Sequence, residues 1–499
     1  MNTLTTSLFA SSEPKTIGVG YHNVGRGCLR ASHLSLVQKI QNRYGQRCGH
    51  LPLEAERVYV LVTGLTAEVE SQWAYLSHLM GKTITVLSLQ DLAVVLRDAA
   101  STALIVPYIN VPQTEHWLQE ELGASSWGLA GKMVQFLKNK ADLHRLVEDL
   151  QLEGVAVPEY TIAPVAAVPQ AAQSFLSAME EITSQAGMDY YPRGIMLRAA
   201  ESDGHYGSCL VYEHQQRILI IPDGDMQRVQ RSLTWEHAFI LAQKHLMASM
   251  DQQQENRVVM SRFVDVADSP GLSVVILDGQ IESLGWNSQL QTPGSTACVG
   301  TSSYQPKNAA PARLQQVIEE QTVACFEVLL KEVAYRCGLD FPSLRGVANL
   351  DFMLPGPLEQ ELQRRRGLSP TIYLAECNPR WTNYTDALLT ILAVKQQPPT
   401  VSTLRTTIQE GLATIDCYPL PPTVEPERLR DELLRRDMAF RQAGMSIICR
   451  MTQNPMGFIF AGNVKQAQQE IVRLLKQLST TTIWAREGKA FAEAAGRGR

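Results

Sequence analysis

The sequence lacks the features that mark several common classes of protein. Its nine cysteines are odd in number and scattered, and none forms a C-x-x-C pair, which favours reduced thiols over disulfides or structural zinc. No window approaches the ~20 uninterrupted apolar residues of a membrane-spanning helix, so we expect no membrane partner. Residues 1–14 have no basic stretch before an apolar core, so we expect no signal peptide. Together these absences predict a cytoplasmic protein.

An excess of charge of one sign is also missing. The chain has 45 Lys and Arg against 50 Asp and Glu, and the resulting net charge of −5 is interspersed. Without a basic surface we expect no nucleic-acid partner. There is no internal repeat. The 45% hydrophobic and 19% charged residues describe an ordinary globular chain, whose 499 residues predict about three domains.

The first part of the chain, residues 15–135, alternates between strand-like and helix-like segments. This alternation predicts an α/β unit with a parallel sheet. The segments are Val58–Val62, Ala67–Met80, Thr83–Leu87, Leu89–Ala99 and Ala103–Pro107.

A short glycine motif, Gly18-Val19-Gly20, precedes these segments. It begins like a dinucleotide-binding fingerprint, but the third glycine is at the wrong spacing. The motif therefore favours a turn over a nucleotide site.

The middle of the chain predicts an amphipathic helix and several strands. The loop 201–208 contains glycine, and a loop of this kind between two strands can lay backbone N–H groups over phosphates. We expect the strands at 258–264 and 272–277 to pair, with a hairpin turn at Asp278-Gly279. The predicted elements are the helix Lys140–Leu150, the extended segment Gly154–Pro158, and the strands Gly194–Arg198, Cys209–Tyr212, Val258–Val264, Leu272–Leu277 and Gln280–Leu284.

Composition changes after Gln396-Gln397-Pro398-Pro399, where we expect a last small domain. It has a charged helix near 427–439, strands near 446–450 and 456–461, and a helix over 464–478. The residues after Thr480 predict a mobile tail.

Two strand-like stretches about 25 residues apart, Val347–Met353 and Ile372–Arg380, carry the most informative polar residues. Side chains two apart on a strand share a face, so Glu376 and Asn378 project the same way. If the strands pair as a long-looped hairpin, Asp351 lies beside Glu376. Two carboxylates and an amide oxygen suit Mg²⁺, which completes its octahedron with water and nucleotide phosphates. Arg380 adds a cation near those phosphates. The pattern predicts an ATP site.

This arrangement resembles the ATP-grasp superfamily, in which an Asp on one strand and a Glu-x-Asn on the next hold magnesium ions. The stretches Val60–Gly64, Trp73–Leu76, Val106–Tyr108 and Met456–Gly462 resemble the pheganomycin-type peptide ligases within it. The resemblance implies an α/β and α+β chain. A Rossmann-like pre-ATP-grasp domain would span 1–135, a two-lobed ATP-grasp domain 136–400, a small α+β C-terminal domain 401–480 and a flexible tail 481–499.

The resemblance also implies a set of site residues in this chain. The metal ligands would be Asp351, Glu376 and Asn378, and the residues acting on the reacting groups Arg380, Arg198 and His205. The ATP contacts would be Lys140, Arg198, the loop residues Gly204, His205, Tyr206, Gly207 and Ser208, and the adenine-binding segment Ser261, Arg262, Phe263 and Val264.

Several of these positions have ordinary alternatives. Lys140 at a helix start is also compatible with a solvated lysine. Arg198 stands where many members of the superfamily have lysine, and it could instead pair with Glu201 or Asp203. His205 fits a solvated loop histidine, and both Phe263 and Trp286 fit plain core positions.

The function implied is an ATP-dependent carboxylate–amine ligase that forms an amide or peptide bond through an acylphosphate. Its cofactors would be ATP and Mg²⁺, and its substrates small carboxylates and amines, such as amino acids or small peptides in specialised metabolism. A homodimer is compatible with the exposed helices of the first domain. Two alternatives stay open: a kinase of a small hydroxyl substrate, and a degenerate nucleotide-binding scaffold, which Arg198 and Ser261 favour.

Overall fold

The computed structural model describes residues 5–10, 15–23, 45–97, 102–202, 207–250, 255–291, 298–304, 312–451 and 456–479. Its strands form three sheets, of four, six and ten strands, combined with helices. The predicted α/β and α+β class is thereby confirmed. Within the described residues, no helix combines the length and apolar character that crossing a membrane requires.

The strands are β1 (Ile17–Tyr21), β2 (Arg57–Leu61), β3 (Ile84–Leu87), β4 (Ala103–Pro107), β5 (Val155–Ala156), β6 (Tyr160–Pro164), β7 (Gly194–Ala199), β8 (Ser208–His214), β9 (Arg217–Pro222), β10 (Gln230–Ser232), β11 (Arg257–Arg262), β12 (Val266–Asp268), β13 (Pro270–Leu277), β14 (Gln280–Gln291), β15 (Cys298–Ser303), β16 (Arg345–Pro355), β17 (Ile372–Asn378), β18 (Leu412–Tyr418), β19 (Met445–Met451) and β20 (Met456–Gly462).

The α-helices are α1 (Ala67–Met80), α2 (Leu89–Leu96), α3 (Pro112–His116), α4 (Gly131–Lys138), α5 (Lys140–Leu150), α6 (Val168–Gln185), α7 (Trp235–Ser249), α8 (Ala312–Cys337), α9 (Pro357–Arg365), α10 (Asn383–Val394), α11 (Val401–Glu410), α12 (Pro426–Gln442) and α13 (Val464–Leu478). A π-helical turn at Trp117–Glu121 continues α3.

The first sheet is parallel, in the order β3-β2-β1-β4. The helices α1 and α2 make the crossovers, as the alternating pattern predicts. Thr66 caps α1 by accepting from the Val69 N–H, and Gly81 ends it at a φ of 62°.

The glycines of the early motif lie inside β1, so the predicted turn is wrong. A Cβ on Gly18 would come within 2.6 Å of the Pro52 carbonyl oxygen, and one on Gly20 within 2.6 Å of Leu51 Cδ2. These glycines let the segment before β2 pack directly on the buried strand.

The second sheet has the order β10-β9-β8-β7-β11-β6 and is covered by α6 and α7, whose apolar faces share a core with it. The strands β7 and β8 pair antiparallel around the loop 201–208, as predicted. The predicted pairing of 258–264 with 272–277 is wrong, because β11 belongs to this sheet and β13 to the third. The chain crosses between the two sheets after Arg262.

The third sheet runs β19-β20-β18-β15-β14-β13-β16-β17-β5, with β12 paired to β16. The hairpin turn at Asp278-Gly279 is confirmed, with φ values of 51° and 75°. The strands of the last segment continue this sheet, since Gly300 on β15 pairs with Ile415 on β18. The domain limits 1–135, 136–400 and 401–480 stay predictions, and the predicted tail lies outside the described residues.

Candidate functional site

The strands β16 and β17 pair antiparallel with Asp351 opposite Glu376 and Asn349 opposite Asn378. The hairpin predicted from sequence is confirmed. The connection between the strands is not a plain loop, because it contains the helix α9. A register shift follows Asp351 and leaves both carboxylates on the same face.

The two carboxylates have different electrostatic surroundings. Burial and the neighbouring Glu376 raise the pKa of Asp351 well above its usual range. Burial acts in the same direction on Glu376, but Lys140 and Arg198 outweigh it and lower the pKa of Glu376 to about 2. Arg380 acts in the opposite direction on Asp351 but does not outweigh burial and Glu376, so a cation between the two carboxylates would favour the ionised form of Asp351.

The Asn378 amide bridges the carboxylates with its nitrogen. Its Nδ2 donates to Asp351 Oδ2 at 2.8 Å and to Glu376 Oε1 at 3.2 Å, while Arg380 Nη2 donates to its Oδ1 at 3.0 Å. The amide NH₂ group thus lies between the two carboxylates and donates to both. For Asn378 to ligate a metal through oxygen, its amide must turn over. Within the described ranges, no group of three or more His, Cys, Asp and Glu is arranged to hold a metal ion.

Lys140 is buried at this site, with 3% of its surface exposed, so the interpretation as a solvated lysine is wrong. Its Nζ lies 3.2 Å from Glu376 Oε2 and donates to the Ser202 carbonyl oxygen at 2.7 Å. Asn139 caps α5 and places Lys140 at its first turn. The Lys140 N–H donates to the Ala200 carbonyl, which fixes the helix start to the end of β7.

Arg198 on β7 is held by β17 and by α5. Its Nη1 donates to the Ala375 carbonyl oxygen at 3.0 Å, and its Nη2 lies 3.4 Å from His144 Nε2. The alternative pairing with Glu201 or Asp203 stays a prediction, and Asp203 lies outside the described residues. An arginine can only donate, so His144 Nε2 must be the acceptor and the ring is neutral. Burial, Arg198 and Lys140 lower the pKa of His144 well below its usual range.

Arg380 follows β17 and bridges to the first sheet. Its Nη1 donates to the Tyr108 hydroxyl at 3.1 Å, and its guanidinium lies 5.5 Å from the centre of that ring. Tyr108 in turn stacks on His22 at 4.2 Å between ring centres. Arg380 is thereby held beside Asn378 by residues just past β4 and β1.

The segment expected to bind adenine carries a buried ion-pair network. Arg262 Nη1 lies 2.7 Å from Glu359 Oε2, and its Nε lies 2.8 Å from Glu159 Oε2. The N–H groups of Arg262 and Phe263 donate to the carbonyls of Glu159 and Gly194. The Phe263 ring stacks on Tyr212 at 6.0 Å. The adenine contact stays a prediction. Because Arg262 and Phe263 are engaged in these contacts, Ser261 and Val264 would have to provide it.

The loop expected to cover the phosphates is described only in part, because Gly204, His205 and Tyr206 lie outside the described residues. The N–H groups of Gly207 and Ser208 donate to Asp223 Oδ1 at 3.0 and 3.4 Å. His245 Nε2 lies 3.0 Å from the same oxygen. Two of the predicted phosphate donors are therefore engaged by a carboxylate.

Four further residues contact the predicted site residues: His144, Asn349, Tyr108 and Asp223. His144 lies four residues after Lys140 on α5, so helical spacing carried a signal for it. Asn349 precedes Asp351 by two on the same strand and donates to its Oδ1 at 2.7 Å. Tyr108 and Asp223 had no such signal, because only the tertiary structure brings them to Arg380 and Gly207. Trp286 packs edge-on against Phe352, as its core interpretation predicts.

No family model and no curated protein match this sequence. Solved structures do match over nearly the whole chain. A biotin carboxylase from Campylobacter jejuni in complex with β-γ-ATP has 10% identity, covers 94% of this chain and 92% of its own, and gives a TM-score of 0.51. The biotin carboxylase domain dimer of the Hydrogenobacter thermophilus 2-oxoglutarate carboxylase, with MgADP, ADP and bicarbonate, has 10% identity, coverage of 97% and 96%, and a TM-score of 0.51.

At this identity the likeness establishes the fold. The chain therefore shares its overall fold with these two biotin carboxylase structures over nearly its whole length.

Proposed function

We propose that this protein is an ATP-dependent carboxylate–amine ligase. The observation that carries the proposal is the adjacency of Asp351 and Glu376 on paired strands, surrounded by Lys140, Arg198 and Arg380. Carboxylates beside a group of buried cations suit a metal–triphosphate complex, in which both signs of charge must be balanced. That two structures of the same fold hold β-γ-ATP or MgADP supports this proposal.

The residues present fit Mg²⁺. Asp351 and Glu376 supply two hard oxygens, and Asn378 supplies a third after its amide turns over. A divalent cation beside Asp351 and Glu376 would favour the ionised form of both carboxyl groups. When bound, Mg²⁺ would neutralise phosphate charge and orient the triphosphate.

The cationic side chains would act on the phosphate oxygens. Lys140 is a point charge with rotatable donors, whereas Arg198 and Arg380 present planar forks that fit two oxygens at once. Each is already oriented by a neighbour: Ser202, His144 and Tyr108 respectively. They would therefore need little rearrangement to bind nucleotide.

The reaction would take place in two steps. A substrate carboxylate oxygen attacks the γ-phosphorus, the bond from that phosphorus to ADP breaks, and an acylphosphate forms. An uncharged amine nitrogen then attacks the acyl carbon, the carbon–oxygen bond to phosphate breaks, and phosphate leaves with the proton lost by the amine. Exclusion of water from the site would protect the acylphosphate from hydrolysis.

The proposed substrates are amino acids or small peptides, as in the pheganomycin-type ligases that the sequence resembles. A homodimer in the cytoplasm is part of the same proposal. The second candidate is a degenerate nucleotide-binding scaffold, and one observation favours it: the Gly207 and Ser208 N–H groups bind Asp223.

The test is a screen of amino-acid pairs for ATP-dependent phosphate release, followed by mass spectrometry of the products. The ligase predicts an amide with ADP and phosphate, a kinase predicts a phosphorylated product, and a scaffold predicts no turnover.

In the active wells we expect Glu376→Gln and Asp351→Asn to lower turnover by about 10²–10³-fold, because charge stabilisation at the phosphates is lost. The matched control is Asp278→Asn, which changes an exposed carboxylate in the turn after β13 and should keep full activity. Unchanged circular dichroism would show that the variants fold. Near-normal turnover in both site variants would remove the assignment.

A further inference from the structure

Residues 7–10, which we call the N-terminal strap, are fixed to distant parts of the chain. The Leu8 N–H donates to the Pro399 carbonyl oxygen at 2.9 Å, and Trp127 Nε1 donates to the Leu8 carbonyl oxygen at 3.2 Å. Leu8 and Phe9 are buried, with 1% and 4% of their surfaces exposed. The N-terminal strap therefore has a defined place in the fold, although it forms no helix or strand of its own.

The Phe9 ring belongs to a group of packed aromatic rings. It lies edge-on against Trp127 at 5.4 Å between ring centres and is tilted against Trp381 at 6.2 Å. The Trp381 indole in turn stacks on Trp127 at 5.2 Å and on His50 at 5.7 Å. Ring pairs of these geometries are favourable only in particular relative orientations, so each ring restrains the next. Phe9 thus helps to set where the Trp381 indole lies.

Trp381 directly follows Arg380, the arginine beside the carboxylate pair, and orients it through the backbone. The Trp381 N–H donates to the Tyr108 carbonyl oxygen at 3.1 Å, and the Trp381 carbonyl oxygen accepts from Arg380 Nη1 at 3.2 Å. The same guanidinium donates to the Tyr108 hydroxyl at 3.1 Å and to Asn378 Oδ1 at 3.0 Å. Because the indole and the carbonyl belong to one residue, a shift of the Trp381 ring moves an acceptor of Arg380.

We propose that Phe9 is a positioning residue for Arg380 and acts on it through Trp127 and Trp381. The inference rests on the proposed function, in which Arg380 binds phosphate oxygens, and deepens it by naming what holds this arginine from behind. A group that acts on a ligand must be held by residues whose own positions are locked by packing. Without the Phe9 ring, the two indoles would relax partly into the space that it leaves, and the Arg380 fork would lose its alignment.

The test measures MgATP binding by calorimetry and amide formation by the screen's best substrate pair, well below the Tm of every variant. Phe9→Ala should raise the MgATP dissociation constant about fivefold, the value of one lost hydrogen bond. It should lower kcat about tenfold, because small misplacements of a group at the reacting atoms are costly. Phe9→Leu, which keeps most of the apolar volume, should restore most of both quantities.

Phe440→Ala is the matched control, because Phe440 is also 4% exposed but lies on α12 in the last segment of the chain. It should lower Tm and leave the dissociation constant and kcat unchanged. The decisive comparison is made in an Arg380→Ala protein, where Phe9→Ala should have no further effect on MgATP binding. If Phe9→Ala does not fold, Trp127→Phe takes its place, since it keeps a ring but removes the N–H bonded to Leu8.

Two results would overturn the positioning role: the same factor of loss with and without the Arg380 guanidinium, or a loss no larger than that of Phe440→Ala. A wild type that binds MgATP without turnover would refute the ligase alone, and the dissociation constants would still decide the role of Phe9. A wild type that binds no MgATP would refute both.

Discussion

The arginine at position 198 needs hydrogen-bond acceptors from its neighbours that a lysine there would not need, and His144 is one of them. A lysine at position 198 would present one compact charge, but arginine presents a fork whose donors all need acceptors. The structure provides two acceptors, the Ala375 carbonyl and the neutral His144 ring. Arg198 Nε has no hydrogen-bond partner in the part of the chain that is described, so these two bonds are the ones that orient the fork.

We predict that His144 is a positioning residue for Arg198. His144→Ala should weaken MgATP binding about fivefold, because one buried hydrogen bond of about 1 kcal/mol is lost. Isothermal titration calorimetry with MgATP measures this directly.

The control is His144→Ala made in an Arg198→Lys protein, where the lysine ammonium does not need the His144 ring as an acceptor. There, His144→Ala should have little further effect on the dissociation constant. The same fivefold loss in both backgrounds would show that His144 acts through packing alone.

At the scale of elements, the crossing from the six-stranded to the ten-stranded sheet is stabilised by buried ion pairs. Arg262 ends β11, Glu359 lies on α9 between β16 and β17, and Glu159 immediately precedes β6. Arg262 and Glu359 have side chains that are 2% and 1% exposed. Tyr191 and Tyr373 donate to Glu359 and complete its hydrogen bonds. Removing one partner from such a network leaves a buried charge unpaired and is destabilising.

This network predicts a specific dependence on pH. Burial alone would raise the pKa of Glu159, but Arg262 and Arg366 lower it from 4.5 to about 2. Because the folded pKa is the lower one, the stabilisation is complete above about pH 4.5 and is lost as the pH falls toward 2. Glu159→Gln should lower Tm near neutral pH and reduce the further fall below pH 4.5. Thermal unfolding from pH 7 to pH 3 measures both.

Glu361→Gln on α9 is the control for Glu159. Glu361 is bonded to the exposed Arg364 and Arg365, and exposed pairs contribute little to stability. Its Tm at neutral pH should match wild type. An equal fall in Tm for the two variants would contradict a special role of the Arg262 network.

At the scale of the whole molecule, the last segment is built into the central sheet. The strands β18 to β20 extend the ten-stranded sheet from β15. A buried cluster of His50, Asp386 and Arg450 joins this segment to the part of the chain between β1 and β2. His50 Nδ1 lies 2.7 Å from Asp386 Oδ1, and Arg450 on β19 pairs with the other oxygen of Asp386. Although burial acts against ionisation, Arg450 and His50 hold the pKa of Asp386 far below its usual range.

We predict that a chain ending at residue 410 will not fold. It would expose the edge of β15 and leave Asp386, which is fully buried, without Arg450. A chain ending at residue 479 keeps all these contacts and should match the full chain. Size-exclusion chromatography and thermal unfolding distinguish the two. A soluble, cooperatively unfolding 1–410 chain would show that the last segment is an independent unit.

The sequence by itself determined the local elements and the carboxylate pair. Helices α1, α5 and α13 and strand β4 have the bounds that periodicity predicts, because caps, apolar spacing and β-branched runs act over a few residues. The Asp351–Glu376 register followed from two neighbouring strands and their alternation.

Only the tertiary structure decided how distant segments meet. Gly18 and Gly20 lie in a strand on which residues near Pro52 pack closely. The strand β11 pairs with β7 in the second sheet instead of with its predicted partner β13. Tyr108 and Asp223 reach Arg380 and Gly207 from distant parts of the chain. Contacts of this kind depend on packing between segments far apart in the chain, and no local pattern records that packing.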